Sequence, residues 1–288
     1  MPLSIQNQDH SREDSLPNTL LAPGDLKIGE QYHLSELRHD KYTHDFGYLD
    51  RVLENEQFAL FEQRQWNLDL CTPMGTEILL RVPNVNDTQL YLSTAYWIEF
   101  AESTKKLEDL SYKILSKLLR NAHLLNPLHA PYYVNMPPPV VSVELVNYLK
   151  TLIDKAGLPY NFIGIELTER QPIIDPIQFK HGINALQLLK IPVALDDYGR
   201  GYATMQFLRD MYVDRVKIDR GLLHDAKVNL SKRLTLVSLL DFATEFGIEV
   251  IAEGVEIESD YDFVCQLECD GLQGFYVDSP QMLIPVEA

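Results

Sequence analysis

From Tyr132 onward the chain alternates short apolar runs with amphipathic stretches, and this alternation limits the fold more than any other feature. Residues 132–136, 162–167, 191–195, 214–219, 249–253 and 271–275 read as strands. Between them, 141–156, 176–189, a short piece from Thr204, 230–246 and 260–267 read as helices. Strands that alternate with helices imply a parallel sheet covered on both faces. Upstream, residues 58–63 and 75–82 form two more apolar runs, too close in sequence for a crossover helix, so an antiparallel hairpin is expected there. Leu107, Leu110, Ile114, Leu115 and Leu118 mark a helix over 104–120. Eight strands suggest closure, so the fold class expected is α/β, a TIM-like (β/α)8 barrel with one antiparallel strand.

Residues 1–45 are polar and lack a sustained period, and they are expected to be a loosely packed or partly disordered extension before a domain over 46–288. His33, His39 and His44 lie there, and solvated loop histidines explain them without a metal. The chain carries 42 Asp+Glu against 25 Lys+Arg, a formal charge of −17, which argues against a nucleic acid polymer or an anionic membrane as partner. Cys71, Cys265 and Cys269 have no repeated spacing and are expected to be reduced, mostly buried thiols. With no secretory start and no apolar run long enough to span a bilayer, the location expected is cytoplasmic.

Polar residues gather where the strands end: Asn135, Glu166 with Glu169, Asp196-Asp197, Lys217 with Asp219, Glu253 with Glu256, and Gln273. A lone Asp-Asp-x-Gly reads as a solvated turn, because adjacent strand residues point to opposite faces and share a site only where the strand is ending. Six strand ends converging on one barrel mouth are harder to dismiss. Their oxygen donors suit a hard cation such as Mg²⁺ or Mn²⁺. Lys217 adds a fixed positive charge, and such a set suits phosphodiester hydrolysis, in which metals activate water and stabilise the attacking and leaving oxygens.

Glu77-Ile78-Leu79-Leu80-Arg81, Glu166-Leu167-Thr168-Glu169, Asp196-Asp197-Tyr198-Gly199, Lys217-Ile218-Asp219-Arg220, Ala252-Glu253-Gly254-Val255-Glu256 and Gln273-Gly274 occur in one order. In this the sequence resembles EAL domains, bacterial phosphodiesterases that open cyclic di-GMP to linear pGpG. The resemblance covers residues 58–280. It implies Glu77, Asn135, Glu166 and Asp196 as ligands of a first metal, with Asp196 bridging to a second held by Asp197 and Glu253. It further implies Lys217 as the holder of the attacking water, Asp219 as its supporting partner and Glu169 as a loop anchor. Gln63, Arg81 and Gln273 resemble substrate and water contacts, and Glu256 a supporting carboxylate. A homodimer is likewise an expectation from the resemblance alone.

Arg200 departs from the family pattern, standing where a small residue such as Thr is usual, and Arg64, Val82 and Pro137 depart at other motif positions. None of these removes an implied ligand. The expected activity is therefore metal-dependent hydrolysis of cyclic di-GMP. The alternatives are a weak or inactive cyclic di-GMP receptor or protein-interaction module, and, last, a barrel enzyme for an unrelated phosphate ester.

Overall fold

The computed structural model describes residues 46–84, 87–92, 94–168, 172–200 and 205–286. The expected extension over 1–45, its three histidines and Glu169 lie outside the described residues.

The strands are β1 (Ala59–Asn67), β2 (Pro73–Asn84), β3 (Asp87–Leu92), β4 (Tyr132–Met136), β5 (Ile163–Leu167), β6 (Val193–Tyr198), β7 (Arg215–Ile218), β8 (Glu249–Glu253), β9 (Gly271–Gln273) and β10 (Gln281–Ile284). Strands β1, β2, β4, β5, β6, β7, β8 and β9 close into a barrel in that order. Strand β1 is antiparallel to both its barrel neighbours, β2 and β9, whereas the pairings from β2 and β4 round to β8 and β9 are parallel. This is the expected barrel with one reversed strand. Strands β3 and β10, which the sequence reading did not separate out, lie outside the ring and pair antiparallel with β2 and β1.

The α-helices among the described residues are α1 (Phe46–Glu54), α2 (Thr94–Ser103), α3 (Leu107–Arg120), α4 (Val143–Ala156), α5 (Pro176–Leu188), α6 (Met205–Met211), α7 (Arg220–Val228), α8 (Leu230–Phe246) and α9 (Glu258–Leu267). None of the described helices is long and apolar enough to cross a membrane. Helix α3 starts at Leu107 rather than Thr104, because α2 ends just upstream and Lys105 turns the chain at φ 59°. Its five apolar periodic residues are all buried. Helix α7, separate from α8, was not anticipated, and the last barrel strand stops at Gln273 instead of Phe275. Of the thiols, Cys269 is buried just beyond α9, while Cys71 is exposed, contrary to the expectation of burial.

Strand β5 shows how the barrel places its chemistry. All five residues of Ile-Gly-Ile-Glu-Leu are buried, with Ile163, Ile165 and Leu167 on one face and Gly164 and Glu166 on the other. Gly164 leaves room for the Tyr133 ring, which an added Cβ would meet at 2.4 Å. Inward residues form stacked layers, as in closed barrels generally. The lower layer includes Gln65, Tyr133 and Arg215, with Arg215 above the Tyr133 ring at 4.9 Å from its centroid. Two residues further along the strands comes the layer of Glu77, Asn135, Glu166, Asp196, Lys217, Glu253 and Gln273.

Candidate active site

Lys217 is the centre of the upper layer. It is fully buried on β7, and its Nζ lies 3.0 Å from Glu77 Oε2, 3.2 Å from Asp196 Oδ1 and 2.5 Å from Glu253 Oε1, and in closer contact with Glu166 Oε1. Four carboxylates thus surround one ammonium. Burial works to lower the Lys217 pKa, but these charges outweigh it and hold the group well above its ordinary value. Lys217 stays protonated.

The carboxylates divide. Burial would raise Glu77, yet Lys217 and hydrogen bonds from Gln273 and Asn135 outweigh it and hold this carboxyl below the usual range. Glu77 Oε1 accepts from Asn135 Nδ2 at 2.8 Å and Oε2 from Gln273 Nε2 at 2.7 Å. Glu166, Asp196 and Glu253 go the other way: burial raises each, and neighbouring carboxylates add to it against the pull of Lys217. Glu166 Oε1 meets the Lys217 ammonium, while Oε2 is buried without any partner. A buried charge left this way is costly unless another cation completes it.

The oxygens come close enough for one to do so. Ligand oxygens of Glu77, Glu166 and Glu253 lie within 4.8 Å of one another, and so do those of Asp196, Asp197 and Glu253. An all-oxygen set of this kind fits a hard divalent cation. Asn135 donates its amide nitrogen to Glu77 Oε1, so the hydrogen bond leaves its carbonyl oxygen unused.

Asp196 and Asp197 share the site because β6 breaks its register between Leu195 and Tyr198. Asp197 adopts φ 56°, the left-handed region that costs a non-glycine residue about 1–2 kcal/mol. Gly274 is needed for a different reason: a Cβ there would lie 2.1 Å from the Val255 carbonyl oxygen. This close approach lays the chain after β9 against the loop after Glu253.

Above the cage opens a cleft of about 250 Å³, lined among others by Gln63, Asp197, Arg200, Glu253, Glu256 and Phe275. Asp219 caps α7, its Oδ1 accepting from Gly221 N at 2.8 Å and Leu222 N at 3.3 Å, while Oδ2 pairs with Arg200 Nε at 2.7 Å. Gln63 accepts from Gln273 at 3.2 Å and donates to the Asp278 carbonyl at 2.9 Å. Glu256 reaches the cleft wall but is engaged by Arg220 in a two-point ion pair. Arg81 is not among the cleft-lining residues; its Nη1 donates to the Leu80 carbonyl at 2.9 Å and to Thr94 Oγ1 at 3.1 Å.

Residues 48–280 match the family model described as EAL domain. The chain belongs to the EAL domain family. Similar curated proteins include the signaling protein YkoW of Bacillus subtilis (strain 168), 26% identical over 235 residues, covering 81% of this chain and 29% of that protein. Another is the probable cyclic di-GMP phosphodiesterase PdeG of Escherichia coli (strain K12), 25% identical over 236 residues, covering 81% of this chain and 46% of that protein. The chain therefore spans less than half the length of these two relatives. Among solved structures, the Xanthomonas citri FimX EAL domain in complex with c-diGMP superposes with a TM-score of 0.72 at 18% identity, covering 84% of this chain and 94% of that one. The PaMucR phosphodiesterase in its c-di-GMP complex gives 0.73 at 22% identity, covering 82% and 96%. At these identities the likeness is one of fold.

In this EAL barrel two groups escaped the sequence reading. Gln65 donates to Gln273 Oε1 at 3.1 Å and accepts from Arg215 Nη1 at 2.5 Å, so Arg215, Gln65 and Gln273 form a donor chain ending on Glu77. Its signal was partial: Gln65 follows Gln63 at a spacing of two and so shares its face, but Glu62 and Arg64 make the opposite face polar as well. Arg220 stood within a family motif without a role, and its pairing with Glu256 has no local sequence signal.

Proposed function

We propose that this chain hydrolyses one phosphodiester bond of cyclic di-GMP, releasing linear pGpG, with Mg²⁺ or Mn²⁺ at the carboxylate cage, two ions per site. The observation that carries the reading is the gathering of four buried carboxylates around the single ammonium of Lys217, with Glu166 Oε2 buried without a partner. Glu77, Asn135, Glu166 and Asp196 would hold one ion, and Asp196, Asp197 and Glu253 the other. Bound divalent ions supply Lewis acidity, lowering the pKa of water and neutralising phosphate oxygens.

The chain's own groups do the positioning. Lys217, kept protonated by its neighbours, donates a hydrogen bond to the attacking water and fixes its line of approach. Glu253 faces the same water and takes up its proton. A new bond forms between phosphorus and the water oxygen as the bond from phosphorus to the ribose 3′ oxygen breaks, and that oxygen takes its proton from solvent water in the open cleft. Gln273 and Gln63 orient Glu77 and the substrate edge. Arg81, whose planar donors suit a phosphate, would have to turn from the Leu80 carbonyl and Thr94 to reach one, and Asp219 supports the chain end that carries Lys217. Glu256, braced by Arg220, borders the substrate.

A second reading, a weak or inactive cyclic di-GMP receptor or protein-interaction module, is favoured by one observation, the ion pairs of Arg200 with Asp197 and Asp219. Chromatography of products from cyclic di-GMP with Mg²⁺ or Mn²⁺ separates the two. Formation of pGpG that stops with EDTA and with Glu77→Ala supports the enzyme. Binding of the dinucleotide without product selects the receptor.

A further inference from the structure

Arg200 lies over the acidic mouth in a two-point arrangement. Its Nε sits 2.7 Å from Asp219 Oδ2, and its Nη1 sits 3.5 Å from Asp197 Oδ1. Asp219 is a firm anchor, because its other oxygen is committed to the amides of Gly221 and Leu222 at the start of α7. Both carboxylates are largely buried, at 6% and 13% side-chain exposure, whereas the Arg200 side chain is 52% exposed and lines the cleft. The guanidinium therefore has room to swing out, while the acids it touches do not. Asp197 is also one of the three carboxylates whose oxygens gather on the outer side of the cage with Asp196 and Glu253.

We propose that Arg200 is a resident counter-cation of the outer carboxylate cluster, competing with a divalent metal for Asp197, so that this cluster needs a higher metal concentration to fill than it would without the guanidinium. The proposal rests on the cage binding metal at all. A guanidinium beside Asp197 neutralises part of the charge that attracts the ion and repels the ion itself. The inner cluster of Glu77, Glu166 and Glu253 surrounds the ammonium of Lys217, which is buried and cannot swing out, whereas the guanidinium on the outer cluster is half exposed. Occupancy of the outer cluster then becomes graded by metal concentration.

The test is a Mn²⁺ titration of the full chain followed by electron paramagnetic resonance of the free ion, which counts bound ions without reference to turnover. Parental protein is compared with Arg200→Gln and Arg200→Lys, each checked for an unchanged thermal midpoint. The expected result is one class of ion tightened about three- to tenfold in Arg200→Gln and little changed in Arg200→Lys, the scale of a partly exposed charge pair. Equal binding curves for the parent and Arg200→Gln would overturn the competition while leaving the metal site intact. Absence of bound Mn²⁺ in all three proteins would remove the metal reading and the proposal together. Unchanged Mn²⁺ binding with weakened cyclic di-GMP binding in Arg200→Gln would also overturn it, making Arg200 a phosphate contact instead.

Discussion

Lys217 and Arg215 stand two residues apart on one face of one strand, and both are almost wholly buried cations. Their surroundings differ in kind. Arg215 donates to Gln65 Oε1, to the Met74 carbonyl at 3.0 Å and to Glu249 Oε2, and it lies over Tyr133. Its charge meets one carboxylate, and that one is about half exposed at 48%. Lys217 meets four carboxylates, and Glu166 Oε2 is left without a partner. A buried polar network that satisfies itself holds a structure together; one with surplus charge of a single sign is built for something it must still receive.

The largest test of this contrast is Lys217→Ala. Turnover of cyclic di-GMP should fall by about 10³-fold or more, read by product chromatography at saturating metal. A variant that kept the parental rate would remove Lys217 from the chemistry. Arg215→Met should do the reverse, costing about 2–4 kcal/mol in urea unfolding because Gln65 and Met74 lose a buried donor. Its bound-metal count should match the parent. Were Arg215→Met as stable as the parent but unable to bind metal, the two regions would have exchanged roles.

A pH series sharpens the comparison further. Burial first, then carboxylate neighbours, raise Glu166, Asp196 and Glu253 in the folded chain. The metal-free folded state therefore binds more protons than the unfolded one above the ordinary Glu value of 4.5. Its stability is greatest below that value and falls as pH rises through the raised pKa values, by about 1.4 kcal/mol per pH unit for each excess proton. Saturating Mg²⁺ or Mn²⁺ should flatten the slope between about pH 5 and 8 in urea unfolding. A flat profile in EDTA would mean the cage carries no surplus charge. The smallest effect belongs to Gln65→Met, which removes one buried amide from the donor chain to Glu77. We expect a loss of about 1–2 kcal/mol in the same assay, with cyclic di-GMP turnover reduced less than in Lys217→Ala.

The sequence was most readable where local rules act. Buried parallel strands must be apolar for a run of residues and then stop, so β4 through β9 could be placed within a few residues. The polar residue that closes each run was a candidate by position alone. Edge strands β3 and β10 carry weaker signals, since one side of their backbone is unpaired and their residues are mixed in polarity. Helix α7 was hidden because its cap, Asp219, had already been read as the end of a strand motif. Arg81 was placed at the substrate by resemblance, yet its side chain turns to Leu80 and Thr94.

By itself, then, the sequence determined the alternating barrel, the reversed first strand and the ring of acids, because strand period, connection length and residue type are properties of neighbours along the chain. Only the tertiary structure decided that Gln65 serves Gln273, that Arg215 begins a donor chain ending on Glu77, and that Arg200 bridges Asp197 and Asp219. Gln65 and Gln273 are 208 positions apart, and closure of β1 against β9 is what brings them together. A hydrogen bond across a closed ring depends on which strands the ring joins, and that pairing is chosen by the packing of the whole barrel.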